Sequence, residues 1–159
     1  MNFESQCTAT AESVVKKYAD MVYRLAFAQV GSKSDADDIF QEVFLRYVQS
    51  EPVFESEEHR KAWLIRVTVN CTKKHWSSAW YRKTVPLEDS FTFELPEENG
   101  INEAMQKLAP KYRSVIHLFY YEGYSITEIS SILCIRESTI RTQLTRARAR
   151  LSEMLKGDL

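Results

Sequence analysis

Turn-forming residues are scarce in this chain, and their scarcity is the strongest constraint on its fold. Four glycines and four prolines make 4 + 4 = 8 of the 159 residues, or about 5%, where average usage is about 12%. Apolar residues are 44% of the chain, enough to build a buried core. Few turns and many long side chains together predict an all-α protein.

Cysteine usage and apolar patterning indicate the cellular compartment in which the protein works. The three cysteines, Cys7, Cys71 and Cys134, are odd in number and far apart, which excludes a secreted disulfide framework and fits a reducing cytosol. We see no apolar stretch of signal-peptide length near the start and no run of about 18 apolar residues. We therefore expect a cytoplasmic protein that does not insert into a membrane.

Charge is strongly segregated although the net charge is only −1. Residues 59–83 contain seven basic side chains and no acidic one, and residues 84–101 contain five acidic side chains and no basic one. From residue 135 to the end there are six basic and three acidic residues. Each basic stretch is either an ordinary solvated helix face or a surface for a polyanion.

The acidic stretch also divides the chain. Residues 84–100 hold two of the four prolines, and like-charge repulsion favours an extended linker there. We predict two small helical domains, residues 1–83 and 101–159, on either side of this linker.

Apolar residues at helical spacing predict several helices. The first covers Thr8 to Val30, and the second begins at a capping pair formed by Ser34 and Asp37 and ends at Glu51 and Pro52. The later helices are predicted over Glu57–Tyr81, Ile101–Leu108, Lys111–Glu122 and, finally, Glu137–Lys156.

The last two helices predict a helix–turn–helix. Ser125 and Glu128 fit a capping box at the start of one helix, and a short turn at residues 134–136 leads into the final helix. In such a unit the second helix enters the DNA major groove.

The final helix separates into two faces at about 100° per residue. Its apolar side chains fall within one stripe: Ile140, Leu144, Ala147 and Leu151. The opposite face carries small, hydroxyl and cationic side chains, the groups that read base edges or phosphates: Ser138, Thr142, Thr145, Arg146 and Ala149. An ordinary solvated face is the alternative.

These segments together resemble bacterial RNA polymerase sigma factors of the extracytoplasmic-function (ECF) group. Residues 119–133 and 138–151 are similar to the fourth sigma region, residues 35–44 to the second, and residues 62–70 to the segment after it. The resemblance covers the chain from about Ala11 to Leu155. It implies an all-α protein with bacterial core RNA polymerase and promoter DNA as its partners, and with no cofactor, metal or small-molecule substrate.

The resemblance also assigns roles to residues of this chain. It implies that the helix containing Asp38, Ile39, Gln41 and Glu42 binds the clamp helices of core polymerase. It implies a base pocket at Phe54 and Asn70, beside Lys73, Lys74 and Trp76, whose cations and ring suit the single strand of the −10 element. The −35 duplex would contact Ser138, Thr139, Arg141, Thr142, Thr145 and Arg146.

Some positions depart from the family pattern. Lys74 stands where an acidic residue is common, Gln143 where arginine is frequent, and Arg136 where a capping Ser or Thr is favoured. The acidic loop Glu55–Glu58 would repel phosphate, so its role is left open. The promoter sequence is therefore not predicted.

Two further interpretations remain. A self-sufficient helix–turn–helix repressor or activator would need two recognition helices about one DNA turn apart, and this chain offers one. An enzyme is not indicated, since there is no phosphate-binding glycine loop and no His-Glu-x-x-His motif. Members of the resembled group are usually held inactive by a cognate anti-sigma factor, and we expect one here.

Overall fold

The structure is a computed structural model that describes residues 10–82 and 101–157, with side chains left out for residues 78–82, 101–102 and 157. Its helices, in chain order, are α1 (Ala11–Val30), α2 (Lys33–Ser50), α3 (Glu57–Arg82), α4 (Ile101–Lys107), α5 (Pro110–Ile116), α6 (Ile126–Leu133) and α7 (Glu137–Gly157). A π-helical turn, His117–Tyr121, extends α5. The predicted linker, residues 84–100, lies outside the described residues, as does Cys7.

Helices α1–α3 form an N-terminal unit. Thr10 caps α1 by accepting from the amide of Ser13. At the other end, Gly31 adopts a φ of +70° and donates its amide to the carbonyl of Phe27, a conformation that suits glycine. The apolar stripes of the three helices meet in a core whose fully buried members include Val22, Leu25, Val43, Leu64 and Ile65.

The start of α2 corrects the sequence prediction. Ser32, and not Ser34, is the capping residue: its side chain accepts from the amide of Asp35. Ser34 lies inside the helix. The end of α2 agrees with the prediction, because Glu51 turns into the left-handed region with a φ of 42°.

Helices α4–α7 form a C-terminal unit, whose buried side chains continue the apolar core of α1–α3: Leu108, Val115, Leu118, Ile129, Ile140 and Leu144. Pro110 begins α5, where its missing amide proton costs nothing. The π-helical turn that follows was not predicted. There the amide of Glu122 reaches the carbonyl of His117, five residues back.

The two units share one apolar core, and polar side chains also reach across from both sides. The amide of Gln29 donates to the carbonyl of Pro110 (3.2 Å) and accepts from the amide of Ser114 (2.9 Å). The Arg113 guanidinium, 3% exposed, donates to the carbonyls of Leu108 (2.9 Å), Gln29 and Gln106. Burial lowers the pKa of Arg113 to about 10, so it stays charged at neutral pH.

Further contacts extend this interface toward both ends of the units. Arg24 pairs with Glu122 (3.2 Å), whose carboxylate also meets His117 Nε2 at 3.3 Å. The hydrogen bond with His117, helped by Arg24, lowers the pKa of Glu122 below its usual value although burial opposes the shift. On the other side, Arg66 donates to the carbonyl of Ile132 at 2.9 Å.

We expect Glu122→Gln to lower the melting temperature at pH 7 and to have progressively less effect as the pH falls through the lowered pKa of Glu122. A lowered pKa means that the ionised Glu122 stabilises the fold above the usual carboxyl pKa, and this contribution is lost as pH falls through the lowered value. After allowance for partial exposure we expect about 1 kcal/mol. Circular dichroism melts at pH 7 and pH 3 measure it.

The control is Glu12→Gln, which removes an exposed carboxylate paired with Lys16 on the same helix and should change little at either pH. An equal loss at both pH values for Glu122→Gln would contradict the assignment.

Candidate nucleic-acid interface

Helix α7 presents its predicted DNA-reading side chains to solvent. All six are exposed: Ser138, Thr139, Arg141, Thr142, Thr145 and Arg146. The opposite stripe is buried, with Ile140 and Ala147 at 0% and Leu144 at 1% exposure. The two faces predicted from helical periodicity are therefore confirmed, except that Leu151, at the end of the predicted stripe, is only half-buried. The polar face of α7 is open to a ligand.

Helix α6 holds α7 in place in the way the sequence predicts. The Ser125 side chain accepts from the amide of Glu128, and the Glu128 carboxylate accepts from the amide of Ser125, both at 3.1 Å. Cys134 then takes a left-handed φ of 58° and ends α6, so the chain reverses within three residues. The capping box and the helix–turn–helix are both confirmed.

Polar side chains of helix α3 line two separate clefts. Asn70 and Lys73 are exposed at the edge of a narrow cleft against the C-terminal unit, together with Arg66 and Gln143 of α7. The cavity there has a volume of about 40 Å³, room for a few water molecules. Lys74 points elsewhere and lines a wider pocket between α2 and α3.

Phe54 and Trp76 occupy two further environments. Phe54 stacks on Tyr47 (ring centroids 6.2 Å apart) and lies edge-on to Trp63 (5.9 Å). Trp76 lies beneath the Arg113 guanidinium, 4.9 Å from its ring centroid. Within the described residues, the five side chains predicted to hold a single strand are spread over four places and do not form one pocket.

Helix α2 exposes a stripe that differs from the predicted one. Asp38 and Gln41 face solvent, but Ile39 is only 3% exposed and packs in the core. Leu45 (51%) and Val48 (50%) are exposed instead. Asp38, Gln41, Leu45 and Val48 follow each other at intervals of three, four and three residues, so they share one face of the helix.

Sequence reasoning missed Leu45 and Val48, which we define with Asp38 and Gln41 as the α2 stripe. Their signal was available, since two apolar residues fall on the same side of the helix as its polar residues. Glu42, the fourth predicted residue, is half-buried and pairs with Arg46 at 2.9 Å.

The pocket between α2 and α3 contains Cys71 and His75. Burial raises the pKa of the Cys71 thiol, and His75 Nε2 lies 3.5 Å from a carboxylate oxygen of Asp35. In the described ranges no group of three or more His, Cys, Asp and Glu side chains is placed to hold a metal ion. None of the helices described is both long enough and apolar enough to cross a membrane.

One carboxylate of the acidic segment, that of Glu57 at the start of α3, contacts α1 although it is half exposed. Glu57 accepts from the Tyr18 hydroxyl (2.6 Å) and pairs with Lys17 (3.4 Å) and Arg60. Burial raises the pKa of Tyr18, and Arg60 partly offsets that rise. Glu57 therefore ties the start of α3 to α1, while Glu55 and Glu58 remain exposed.

Comparison with known proteins agrees with this arrangement. The family model "Sigma-70 region 2" matches residues 14–82, and "Sigma-70, region 4" matches residues 99–151. The ECF RNA polymerase sigma factor SigW of Bacillus subtilis is 29% identical over 90% of this chain and 87% of its own length. SigM of Mycobacterium tuberculosis is 26% identical over 91% of this chain and 76% of its own.

Solved structures share the fold. The sigma factor RpoE of Bartonella quintana, solved with the anti-sigma factor NepR, matches 93% of this chain and 98% of its own with a TM-score of 0.71 at 21% identity. CnrH, solved with the cytosolic domain of CnrY, matches 98% and 95% with the same TM-score at 20% identity.

An N-terminal unit that matches region 2 and a helix–turn–helix unit that matches region 4 define a transcription initiation factor. The chain belongs to the sigma-70 family, as an ECF RNA polymerase sigma factor.

Proposed function

We propose that this sigma factor directs core RNA polymerase to promoters with a division of labour between its two units. The single observation that supports this most is the exposed polar face of α7, held by a capped α6. The N-terminal unit, residues 1–83, would bind polymerase and the −10 strand, and the C-terminal unit, residues 101–159, would bind the −35 duplex. The chain itself does no chemistry and works in the cytoplasm by binding energy alone.

Run-off transcription tests this proposal. Bacterial core polymerase is incubated with sheared genomic DNA with and without the protein. New discrete transcripts that require the protein are expected, and their aligned start sites would give the promoter. No new transcripts, together with a footprint on duplex DNA by the protein alone, would favour a self-sufficient helix–turn–helix regulator.

The α2 stripe is our candidate for the polymerase contact. Exposed leucine and valine side chains next to a carboxylate and an amide give apolar area with a polar edge, the usual make-up of a protein interface. Leu45 and Val48 are each about half exposed, so they are available to a partner, whereas Ile39 supports the stripe from inside.

We expect Leu45→Glu to weaken binding to core polymerase by about tenfold or more. The substitution places a charge in apolar contact area, and it leaves the fold intact because the side chain is already exposed. Fluorescence anisotropy of the labelled protein with core polymerase measures the affinity.

Ser13→Glu is the matched control for Leu45→Glu, since it adds the same charge at an exposed position of α1 and should bind normally. If the Leu45→Glu variant bound core polymerase with wild-type affinity, the α2 stripe would not be part of the polymerase contact.

The −35 contact rests on the exposed face of α7. The small hydroxyl side chains of Ser138, Thr142 and Thr145 allow α7 to lie close to DNA. The Arg146 guanidinium extends from among them toward base edges or phosphates. Arg150, one turn later, is directed at the unit itself, because its guanidinium lies 5.0 Å from the Tyr112 ring.

Arg146→Ala should weaken binding to the −35 duplex by about 1–3 kcal/mol if Arg146 contacts a base. Arg150→Ala removes the same group from the same helix and should weaken it far less. Electrophoretic mobility shifts of the polymerase holoenzyme on the promoter found by run-off transcription compare the two. Equal affinity of Arg146→Ala and wild type would exclude that contact.

A cognate anti-sigma factor is the further partner that we propose. RpoE was solved with the anti-sigma factor NepR bound, and the fold of this chain matches that of RpoE along nearly its whole length.

A further inference from the structure

The narrow cleft between the two units is lined by cations from both of them. Arg66 and Lys73 reach it from α3, and Lys111 reaches it from α5. Among the residues that the structure describes, no acidic side chain lines this cavity of about 40 Å³. Like charges gathered around a small cavity repel one another, and an anion among them removes that repulsion.

The three cations have no carboxylate partner in the described part of the chain. Lys111 lies over the ring of its neighbour Tyr112, with Nζ 5.2 Å from the ring centroid, and Lys73 makes no ion pair there. The Arg66 guanidinium donates through Nε and Nη2 to two backbone carbonyls at the end of α6, at 2.9 and 3.5 Å. Its Nη1 has no such partner among the described residues, so all three side chains retain donors for an anion.

A buried acceptor belongs to the same cleft. Gln143 of α7 lines the cavity, and its Oε1 is buried without a hydrogen bond from any described residue. Buried amide oxygens are normally paired with a donor. The cations cannot be the whole explanation of the site, because this oxygen requires a ligand that also donates.

These requirements together select the chemistry of the ligand. It must be an anion for the three cations, carry a proton for the Gln143 oxygen, and be small. Hydrogen phosphate has oxygens that accept and one hydroxyl group that donates. Sulfate at neutral pH and the phosphodiester groups of DNA have no such hydroxyl. A volume of about 40 Å³ is the space of about three water molecules, which suits one phosphate group and leaves no space for a nucleoside.

We propose that this cavity binds free hydrogen phosphate and that the ion bridges the two units. Its ligands are cations and an amide from both sides of the cleft: Arg66, Lys73, Lys111 and Gln143. Charge-assisted hydrogen bonds of this kind are about twice as strong as those between neutral groups. The inference goes beyond the proposed function, because its ligand is a free ion and not promoter DNA or polymerase.

Isothermal titration calorimetry of the full chain with sodium phosphate at about pH 7 tests the site, with the ionic strength held constant by sodium chloride. Sodium sulfate and sodium dimethyl phosphate are the comparison anions, and neither can donate a hydrogen bond. Phosphate should bind about fivefold more tightly than either. At about ten times its dissociation constant, phosphate should also raise the melting temperature of the chain by about 3 °C.

Variants locate the ion. Lys73→Gln and Lys111→Gln each remove one cation, from opposite units, and each should weaken phosphate binding by about fivefold or more. Lys107→Gln is the matched control, since Lys107 is an exposed lysine of α4 that does not line the cavity, and it should bind phosphate like wild type. Gln143→Met removes the acceptor at similar length. It should abolish the preference for phosphate over sulfate and leave the affinity for sulfate unchanged.

Other results would overturn the proposal. The absence of saturable phosphate binding would do so directly, and equal affinity for phosphate and sulfate in wild type would show that no donor is required. Dimethyl phosphate that binds as tightly as phosphate would make the cavity a contact for a DNA backbone. Wild-type affinity in both Lys73→Gln and Lys111→Gln would place the ion elsewhere.

Folding and function are checked separately. Circular dichroism shows whether each variant is folded, and the two lysine variants decide the matter if Gln143→Met unfolds. Run-off transcription is an independent measurement. A chain that binds phosphate but directs no transcription would contradict only the proposed function, and a chain that directs transcription without binding phosphate would contradict only the phosphate site.

Discussion

The relative placement of the two units depends on one buried cation. The Arg113 guanidinium donates to three backbone carbonyls, one of which, that of Gln29, belongs to the opposite unit. A buried charge is tolerated only when its hydrogen-bonding capacity is satisfied, and stacking on Trp76 adds a further favourable contact. These partners come from α1, α3 and the end of α4. If any of these elements moved, the buried guanidinium would lose a partner that compensates for its lost hydration.

Several acceptors in this interface share a structural origin. The last carbonyls of a helix have no partner within it, and three of the side chains that cross between the units donate to such carbonyls. Gln106 reaches Ala28 and Arg113 reaches Gln29 at the end of α1, while Arg66 reaches Ile132 at the end of α6. Helix ends that would otherwise need water are thus satisfied by the opposite unit.

The positions of the helices in the chain could be predicted from sequence, because each helix has one apolar face whose spacing marks it. The stripe of α7 and the capping box of α6 were predicted correctly for that reason. The start of α2 was predicted wrongly, since Ser32 and Ser34 are both acceptable caps and tertiary packing chooses between them. The π-helical turn after α5 leaves no signal, because it shifts the helical period by one residue only.

The contacts between the units could not be predicted from sequence, except that Gln29 could be recognised as a residue with a specific partner. Gln29 falls four residues after Leu25 on the apolar stripe of α1, and a polar residue at a core position indicates a specific partner. That its partner is Ser114, in another unit, depends on the approach of two helices far apart in sequence. The strand-binding residues of α3 were likewise predicted by resemblance, and only the structure shows that Asn70 and Lys74, one helical turn apart, line different clefts.

Apolar and polar contacts have different roles where the units meet. The fully buried side chains of both units, among them Leu25 and Leu64 in one and Ile140 and Leu144 in the other, belong to one continuous apolar core, and exposing each of them costs kilocalories. Amides, guanidinium groups and carboxylates cross between the units beside that core. Each of these polar contacts adds a small net stabilisation, because water would satisfy the same groups, but together they fix which helix faces meet.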